Sequence, residues 1–322
     1  RRAIFLYGTE LRGRAVERYR RRQPRAPLAD KEVWPASSDR IACKTSSMIG
    51  TQAAMTAPAT AARYRADALV GFAHALLARA GVRDDIARDV AAVLVDGDLL
   101  GHTTHGLALL APYLAEIEKG TMAKDGAPAV VNSRPAVQAW DGHRLPGPWL
   151  TLRAFDAAVA MAATYGTGTV VIRRAHHIAC LAAYLKRVTD RGLMALLVCS
   201  DPSACSVAPF GAVSPVFTPN PMAAGIPTSG DPILLDISAS LTTNGLTARL
   251  YKAGAKLPHA WVQDAAGNAT DDPAVLFNEP KGTLLPLGGL DAGHKGYALA
   301  LLIEALTAAL AGFGRADPAE GW

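Results

Sequence analysis

Cysteine is scarce in this chain and unpatterned. Among 322 residues there are four, Cys43, Cys180, Cys199 and Cys205, and no two stand in a CxxC pair. Such usage argues against a disulfide scaffold and fits a reducing, cytoplasmic setting. No run of eighteen apolar residues occurs, so no membrane-spanning helix and no membrane partner are expected. A GxGxxG after a strand is missing, which removes the standard dinucleotide fingerprint. A GxSxG elbow is missing too, and no cysteine has a recognisable catalytic context, so nucleophilic hydrolysis has no support.

Basic charge is lacking over most of the chain, although the formal total is +5. Residues 1–54 hold 12 of the 33 Lys and Arg but only 5 of the 28 Asp and Glu, which leaves 21 basic and 23 acidic groups in the rest. A folded body near neutrality gives no electrostatic footing for nucleic acid. The leader opens RRAIFLYG, like a twin-arginine signal, but ELRGRAVERYRRRQPR follows where an apolar stretch is needed. A mitochondrial presequence and an RNA-binding arm are alternatives. The plainer reading makes residues 1–54 a disordered or spurious extension, with Met55 as the start, because periodic sequence begins only after it.

What is present is α/β patterning, with half of the residues hydrophobic, enough for one large domain or two modest ones. Apolar residues at helical spacing predict helices over 65–80, 84–101 and 107–120, each closing near a glycine. VVNSRPAVQAWDG reads as strands, LTLRAFDAAVAMAATYG as a helix and GTVVIRR as a strand. HHIACLAAYLKRVTDRG again reads as a helix, LMALLVCSD as a buried strand, and GHKGYALALLIEALTAALAG as a late apolar helix. Between residues 209 and 240, Pro and Gly punctuate every few positions, which predicts short strands and long loops.

Four of the eight histidines fall in two clusters, GHTTHG at 101–106 and RRAHHIACL at 173–181. A zinc site would need three or four closed ligands, yet the HxxH of His102 and His105 lacks a zincin glutamate, and adjacent histidines point apart. No metal is expected. GGLDAGHKGY nearly matches a phosphate loop, but His294 precedes Lys295 and Gly296 replaces the hydroxyl residue. That turn suits a phosphate, a carboxylate or a purely structural role. Cys180, within an apolar run, reads as core. Proton transfer remains, since histidine changes charge near neutral pH.

Taken in order, DGDLLGHTTHGLALLAPYL, TVVIRRAHHIACLAAYL, FTPNPMAAGIPTSGDPILLDISAS and LLPLGGLDAGHKGYALALLIEAL resemble the malate/L-lactate dehydrogenase family that is unrelated to the Rossmann-type enzymes. Ureidoglycolate, sulfolactate and diketogulonate oxidoreductases and cyclic-imine reductases belong to it, and the resemblance covers 65–322. It implies a non-Rossmann α/β fold, with a largely antiparallel cofactor-binding sheet flanked by helices and a helical domain. The expected division is 55–132 with 289–322 for the helical domain and 133–288 for the sheet domain. The implied activity is NAD(P)-dependent hydride transfer between nicotinamide and a 2-hydroxy/2-oxo acid. A cyclic imine (piperideine- or pyrroline-2-carboxylate) reductase and an inactive truncated fragment are the alternatives.

Residue by residue, the family's Asp-Ser-His-Gly matches Thr103-Thr104-His105-Gly106, which makes His105 the proton donor and Thr104 a substrate neighbour. Asn-His-Phe-Gly matches His176-His177-Ile178-Ala179, with His177 as the second active-site histidine. Ser200, Asn220, Leu235, Asp236, Ile237, Pro286, Gly288, His294 and Lys295 match cofactor-lining positions for NAD or NADP. Two departures concern the substrate. Leu109 stands where the family commonly places a carboxylate-clamping Arg, and Gly245-Leu246 replaces a Gly-Lys. Arg249 or Lys252 is the candidate substitute, and a substrate less charged than malate is implied. His102 is expected to be incidental, Trp322 to be an early end, and the family's usual homodimer to apply here.

Overall fold

The computed structural model describes residues 63–315 together with the backbone of 2–10. The proposed start at Met55, the remainder of the basic leader and the end at Trp322 lie outside the described residues. Three helices come first: α1 (Ala66–Arg79), α2 (Asp84–Leu99) and, after a 3-10 turn at Leu107–Leu109, α3 (Leu110–Glu118). They fall where the 3.6-residue periodicity predicts. Ile86, Val90, Leu94 and Gly97 form the buried stripe of α2 at the i, i+4 and i+3 spacing of one helix face.

A seven-stranded sheet follows. Strand β1 is Arg2–Glu10, β2 Ala129–Arg134, β3 Val137–Asp141, β4 Thr167–Ala175, β5 Leu193–Ser200, β6 Pro221–Ile226 and β7 Ile233–Ser238. Their order is β2-β3-β4-β1-β5-β6-β7. Only the β3–β4 pair is parallel. That pair needs a crossover, which α4 (Gly147–Tyr165) supplies before Gly166 ends it at φ 81°. The non-Rossmann, largely antiparallel sheet flanked by helices is therefore what the chain builds.

Arg2–Glu10 departs from the expected disordered extension. Its backbone lies between β4 and β5, with Leu6 opposite Val170 on one side and Leu197 on the other. The run AIFLYGT carries strand-forming residues, and a central slot satisfies both edges of its backbone.

Two hydrophobic cores lie around the sheet. The larger joins α1–α4 to β4 and β5 through residues such as Leu94, Tyr113, Phe155 and Val170. The smaller gathers Val207, Phe217, Val262, Leu284, Ala300 and Ile303. Here a three-stranded sheet of β8 (Val262–Gln263), β9 (Ala269–Thr270) and β10 (Thr283–Leu284) sits near the late helix α7 (Gly289–Glu304). The sequence division joined 289–322 to the first helices, but Ala300 and Ile303 of α7 sit in the smaller core instead.

The stretch 176–192 is not one helix. Residues 176–180 form no regular element, and a 3-10 turn at Leu181–Tyr184 and a short α5 at Lys186–Thr189 follow. Ala179 adopts φ 57°, which breaks any helix through the histidine pair. Distant partners favour the break: Asp236 Oδ2 accepts Ala182 N–H at 2.9 Å, and the Tyr184 hydroxyl donates to the Ile178 carbonyl.

Candidate active site

The GHTTHG turn is pinned to the end of α2. His102 N–H donates to the Gly97 carbonyl at 2.9 Å, and His105 N–H donates to the His102 carbonyl at 2.7 Å. Asp98 Oδ2 accepts Leu107 N–H at 2.8 Å, capping the 3-10 turn that starts there. The approach is close enough that a Cβ on Gly97 would lie 2.8 Å from the His105 carbonyl oxygen. A Cβ on Gly106 would run into the Asp98 carboxylate. Both glycines are thus required by space.

This turn brings His105 over His177. Their rings stack with centroids 5.8 Å apart and planes 20° from parallel. His177 Nδ1 accepts the Ala179 N–H at 3.0 Å, so that nitrogen carries no proton and the ring is a neutral Nε2–H tautomer. Tyr113, buried on α3, places its hydroxyl 2.8 Å from the same Nδ1 and 3.0 Å from the His177 carbonyl. The Thr104 hydroxyl lies 2.9 Å from His105 Nδ1. Both imidazoles are therefore oriented through Nδ1.

The histidines line a cavity of about 470 Å³. Thr104, Ser200, Asp236 and Ile237 share its wall, as does Leu109 at the position expected for a carboxylate clamp. On another side the cavity meets Thr243, Asn244 and Gly245, at the N-terminus of α6 (Asn244–Lys252). The Thr243 side chain caps that helix by accepting Leu246 N–H at 3.3 Å. A helix start of this kind offers N–H donors and a positive dipole end to an anion.

Other expected residues are placed differently. Asn220 is buried and outside the lining. Its side chain accepts from Thr218 at 2.7 Å and donates to Glu304 at 3.0 Å. The Ser200 hydroxyl also donates to Glu304, at 2.7 Å, and Arg315 completes the cluster with Nη2 2.7 Å from the same oxygen. Leu235 is outside the lining and is about half exposed. Arg249 is outside the lining as well and donates to the Thr103 hydroxyl at 2.9 Å, so it braces the back of the turn.

Pro286, Gly288, His294 and Lys295 do not line the cavity. They form the entry to α7, where Gly288 caps the helix at φ 101° and the His294 ring stands edge-on to Phe210 at 5.7 Å. That entry joins the end of β7 through a Ser240–Pro286 bridge and a Leu287 N–H to Ala239 carbonyl bond of 2.8 Å.

His102 and Cys180 both line the cavity beside Asp236, and Cys180 is at the same time buried in the larger core, as its apolar run predicts. The Cys180 thiol donates to Asp236 Oδ2 at 3.7 Å. Burial, followed by the neighbouring Asp236 charge, pushes this thiol up to about 12. Burial also raises the Asp236 carboxyl, against the opposing pull of Ala182 N–H and His102. Tyr113 and Glu304 escaped notice in sequence because they meet His177 and Ser200 across 64 and 104 positions, and Arg315 because its role depends on Glu304. Only the tyrosine's place in an otherwise apolar helix face hinted at a polar duty.

The cavity suits a flat heteroaromatic ring. Leu181, Pro219, Pro221 and Ile237 give it apolar walls, while Thr104 and the start of α6 give a few converging polar groups. Fold and site thus define an α/β protein with two stacked histidines in an apolar cleft beside a sheet. Comparison with known proteins is specific: the malate/L-lactate dehydrogenase family profile matches residues 64–321. This chain belongs to that family. It is 33% identical over 241 residues to a (2R)-3-sulfolactate dehydrogenase (NADP(+)) from Chromohalobacter salexigens, covering 74% of this chain and 69% of the relative. It is 30% identical over 253 residues to a malate dehydrogenase from Pyrococcus abyssi, covering 78% and 69%. Among solved structures, a delta1-piperideine-2-carboxylate reductase from Pseudomonas syringae superposes with a TM-score of 0.71 at 27% identity, covering 79% of this chain and 74% of that one.

Proposed function

We propose that the chain transfers a hydride between NAD or NADP and the 2-carbon of a 2-hydroxy/2-oxo acid, with His105 exchanging the proton on the substrate oxygen. The carrying observation is the stacked His105–His177 pair, both rings fixed through Nδ1. Nicotinamide bound in the cleft supplies or accepts the hydride. When His105 is an imidazolium, its Nδ1–H is held by Thr104, and its Nε2–H is the donor assigned to the oxygen on which charge develops. His177, whose Nδ1 accepts from the backbone, is assigned to orient the carbonyl through Nε2–H.

The substrate carboxylate is assigned to the start of α6. Leu109 offers it no charge and Arg249 is occupied behind the turn, whereas Thr243 to Gly245 present helix N–H donors to the cavity. A dipole end holds one carboxylate more readily than two, which favours a monocarboxylate over malate. The usual homodimer draws support from edge strand β7, where Ile233, Leu235 and Ile237 are all about half exposed.

The test mixes the full chain with NADH or NADPH, a panel of 2-oxo acids and piperideine-2-carboxylate. Turnover on an oxo acid that falls roughly 10²–10⁴-fold in His105→Ala is expected. Full turnover in that variant would remove the role from His105, and turnover of the cyclic imine alone would replace the substrate class.

A further inference from the structure

Beside the two stacked imidazoles the same cavity holds a second cluster that the proposed reaction does not use. His102 on the turn, Cys180 before the 3-10 segment and Asp236 on β7 each direct one donor atom toward the others. The His nitrogen, the thiol sulfur and the carboxylate oxygen all lie within 4.8 Å of one another. We propose that these three residues bind one divalent, thiophilic cation of the zinc type at the cavity wall.

Donor chemistry selects the ion. An imidazole, a thiolate and a carboxylate together form a nitrogen–sulfur–oxygen set that zinc and cobalt accept, whereas magnesium and calcium take oxygen almost alone. Tetrahedral zinc with bonds of about 2.0–2.3 Å sets neighbouring donors about 3.4–3.7 Å apart. Closing the cluster from its present span therefore asks for a movement of about 1 Å. His102 sits on the surface turn between Gly101 and Thr103, where a rotamer change of that size meets little packing.

The surroundings are already arranged for an ion. Ala182 N–H and the Cys180 thiol both bond Asp236 Oδ2, so the carboxylate is aimed before any ion arrives. The thiol hydrogen now fills the line between sulfur and carboxylate. An incoming cation takes that place, and the displaced proton goes to solvent through the open side of the cavity. Three protein ligands leave a fourth position that faces the cavity, and the site ties the turn, the irregular 176–180 segment and β7 together.

The experiment uses the tag-free full chain, freed of metal with a chelator and titrated with Co²⁺. One equivalent per chain is expected, with intense tetrahedral visible bands and a near-ultraviolet thiolate-to-cobalt band, all displaced by Zn²⁺. Cys180→Ser should abolish the near-ultraviolet band, and His102→Gln should weaken binding at least tenfold. Cys43→Ser, Cys205→Ser and His105→Ala should leave the spectrum intact. A thiolate band that survives Cys180→Ser, or that disappears with Cys43→Ser or Cys205→Ser, would overturn the site. Thermal unfolding of the unmodified chain guards against misfolded variants: Zn²⁺ should raise its midpoint by several degrees, and no rise would overturn the proposal. Neither readout depends on catalysis, so the failure of this site and the failure of the proposed reaction are separable.

Discussion

Tyr113 and His177, 64 positions apart in sequence, meet with the tyrosine hydroxyl 2.8 Å from the imidazole Nδ1. Since that nitrogen also accepts the Ala179 N–H, the tyrosine proton has only acceptors to choose from, Nδ1 or the His177 carbonyl. The Ala179 N–H therefore fixes the ring in one tautomer, and the tyrosine hydroxyl anchors His177 beside it. Tyr113→Phe keeps the aromatic ring's burial and removes that anchor. A neutral hydrogen bond is worth about 1 kcal/mol net, so kcat should fall by roughly three- to tenfold while the KM for the oxo acid moves less than twofold. Steady-state kinetics decide it, and an unchanged kcat would remove Tyr113 from the site.

Gly106 follows the proposed proton donor and has no room for a side chain. A methyl group there meets the Asp98 carboxylate, which at the same time accepts the Leu107 N–H. Gly106→Ala must push Asp98 aside and so loosens the cap of the turn that carries His105. A loss of about 1–3 kcal/mol in stability is expected, with a larger loss of turnover. Urea unfolding measures the first, and an undiminished midpoint would show that the turn yields at no cost.

Glu304 gathers Ser200, Asn220 and Arg315 on one carboxylate oxygen beneath the cavity. Glu304→Gln retains the shape and an acceptor oxygen for Ser200 and Asn220 but removes the charge opposite Arg315. Destabilisation of about 2–4 kcal/mol follows from an unpaired, largely buried guanidinium. The double variant Glu304→Gln with Arg315→Gln should recover part of that loss in thermal unfolding. No recovery would mean that the pair contributes little.

Local signals carried the sequence a long way. The periodicity of α1 and α2, the β-branched run of β4 and the glycines closing the helices were all read correctly from neighbours within a few residues. Failure came where distant partners decide conformation. Residues 176–192 have the apolar spacing of a helix, yet Asp236 takes the Ala182 N–H from a strand 54 positions away and the chain stays irregular around the histidines. The leader misled for a related reason, because its charge dominated the composition while nine strand-forming positions at its start had a slot waiting in the sheet. Within the site, His105 and His177 were legible through their motifs. The bonding of Ser200 and Asn220 to Glu304 was not, since nothing near either residue announces a carboxylate 104 or 84 positions on.

Asp141 forms the tightest ionic knot near the sheet's edge. Its buried carboxylate receives Arg173 Nε at 3.2 Å, Arg174 Nε at 2.9 Å and the His143 N–H at 3.1 Å. Burial alone would raise this carboxyl, but Arg174 and the His143 N–H outweigh it and hold it below the usual carboxylate range. A folded-state value below the unfolded one adds stability that is complete above the unfolded value, about pH 4, and is lost as pH falls through the folded value. Asp141→Asn should cost about 1–3 kcal/mol at pH 7, and the gap to the unmodified chain should narrow below about pH 4. Urea midpoints across pH 3–7 read both, and a gap independent of pH would separate the carboxylate's charge from its contribution.

The place of β1 makes the strongest demand on stability. Leu6 lies opposite Val170 on β4 and Leu197 on β5, so the strand bridges two halves of the sheet that otherwise share no ladder. Proline at such a central position removes an N–H and forces its ring against a neighbouring strand. Leu6→Pro should therefore cost roughly 3 kcal/mol or more. It should also expose amides of Val170–Ile172 and Leu196–Val198 to hydrogen exchange together, because both flanking strands lose their shared partner at once. Should only one of the two strands lose protection, β1 would be an edge strand rather than the link between them.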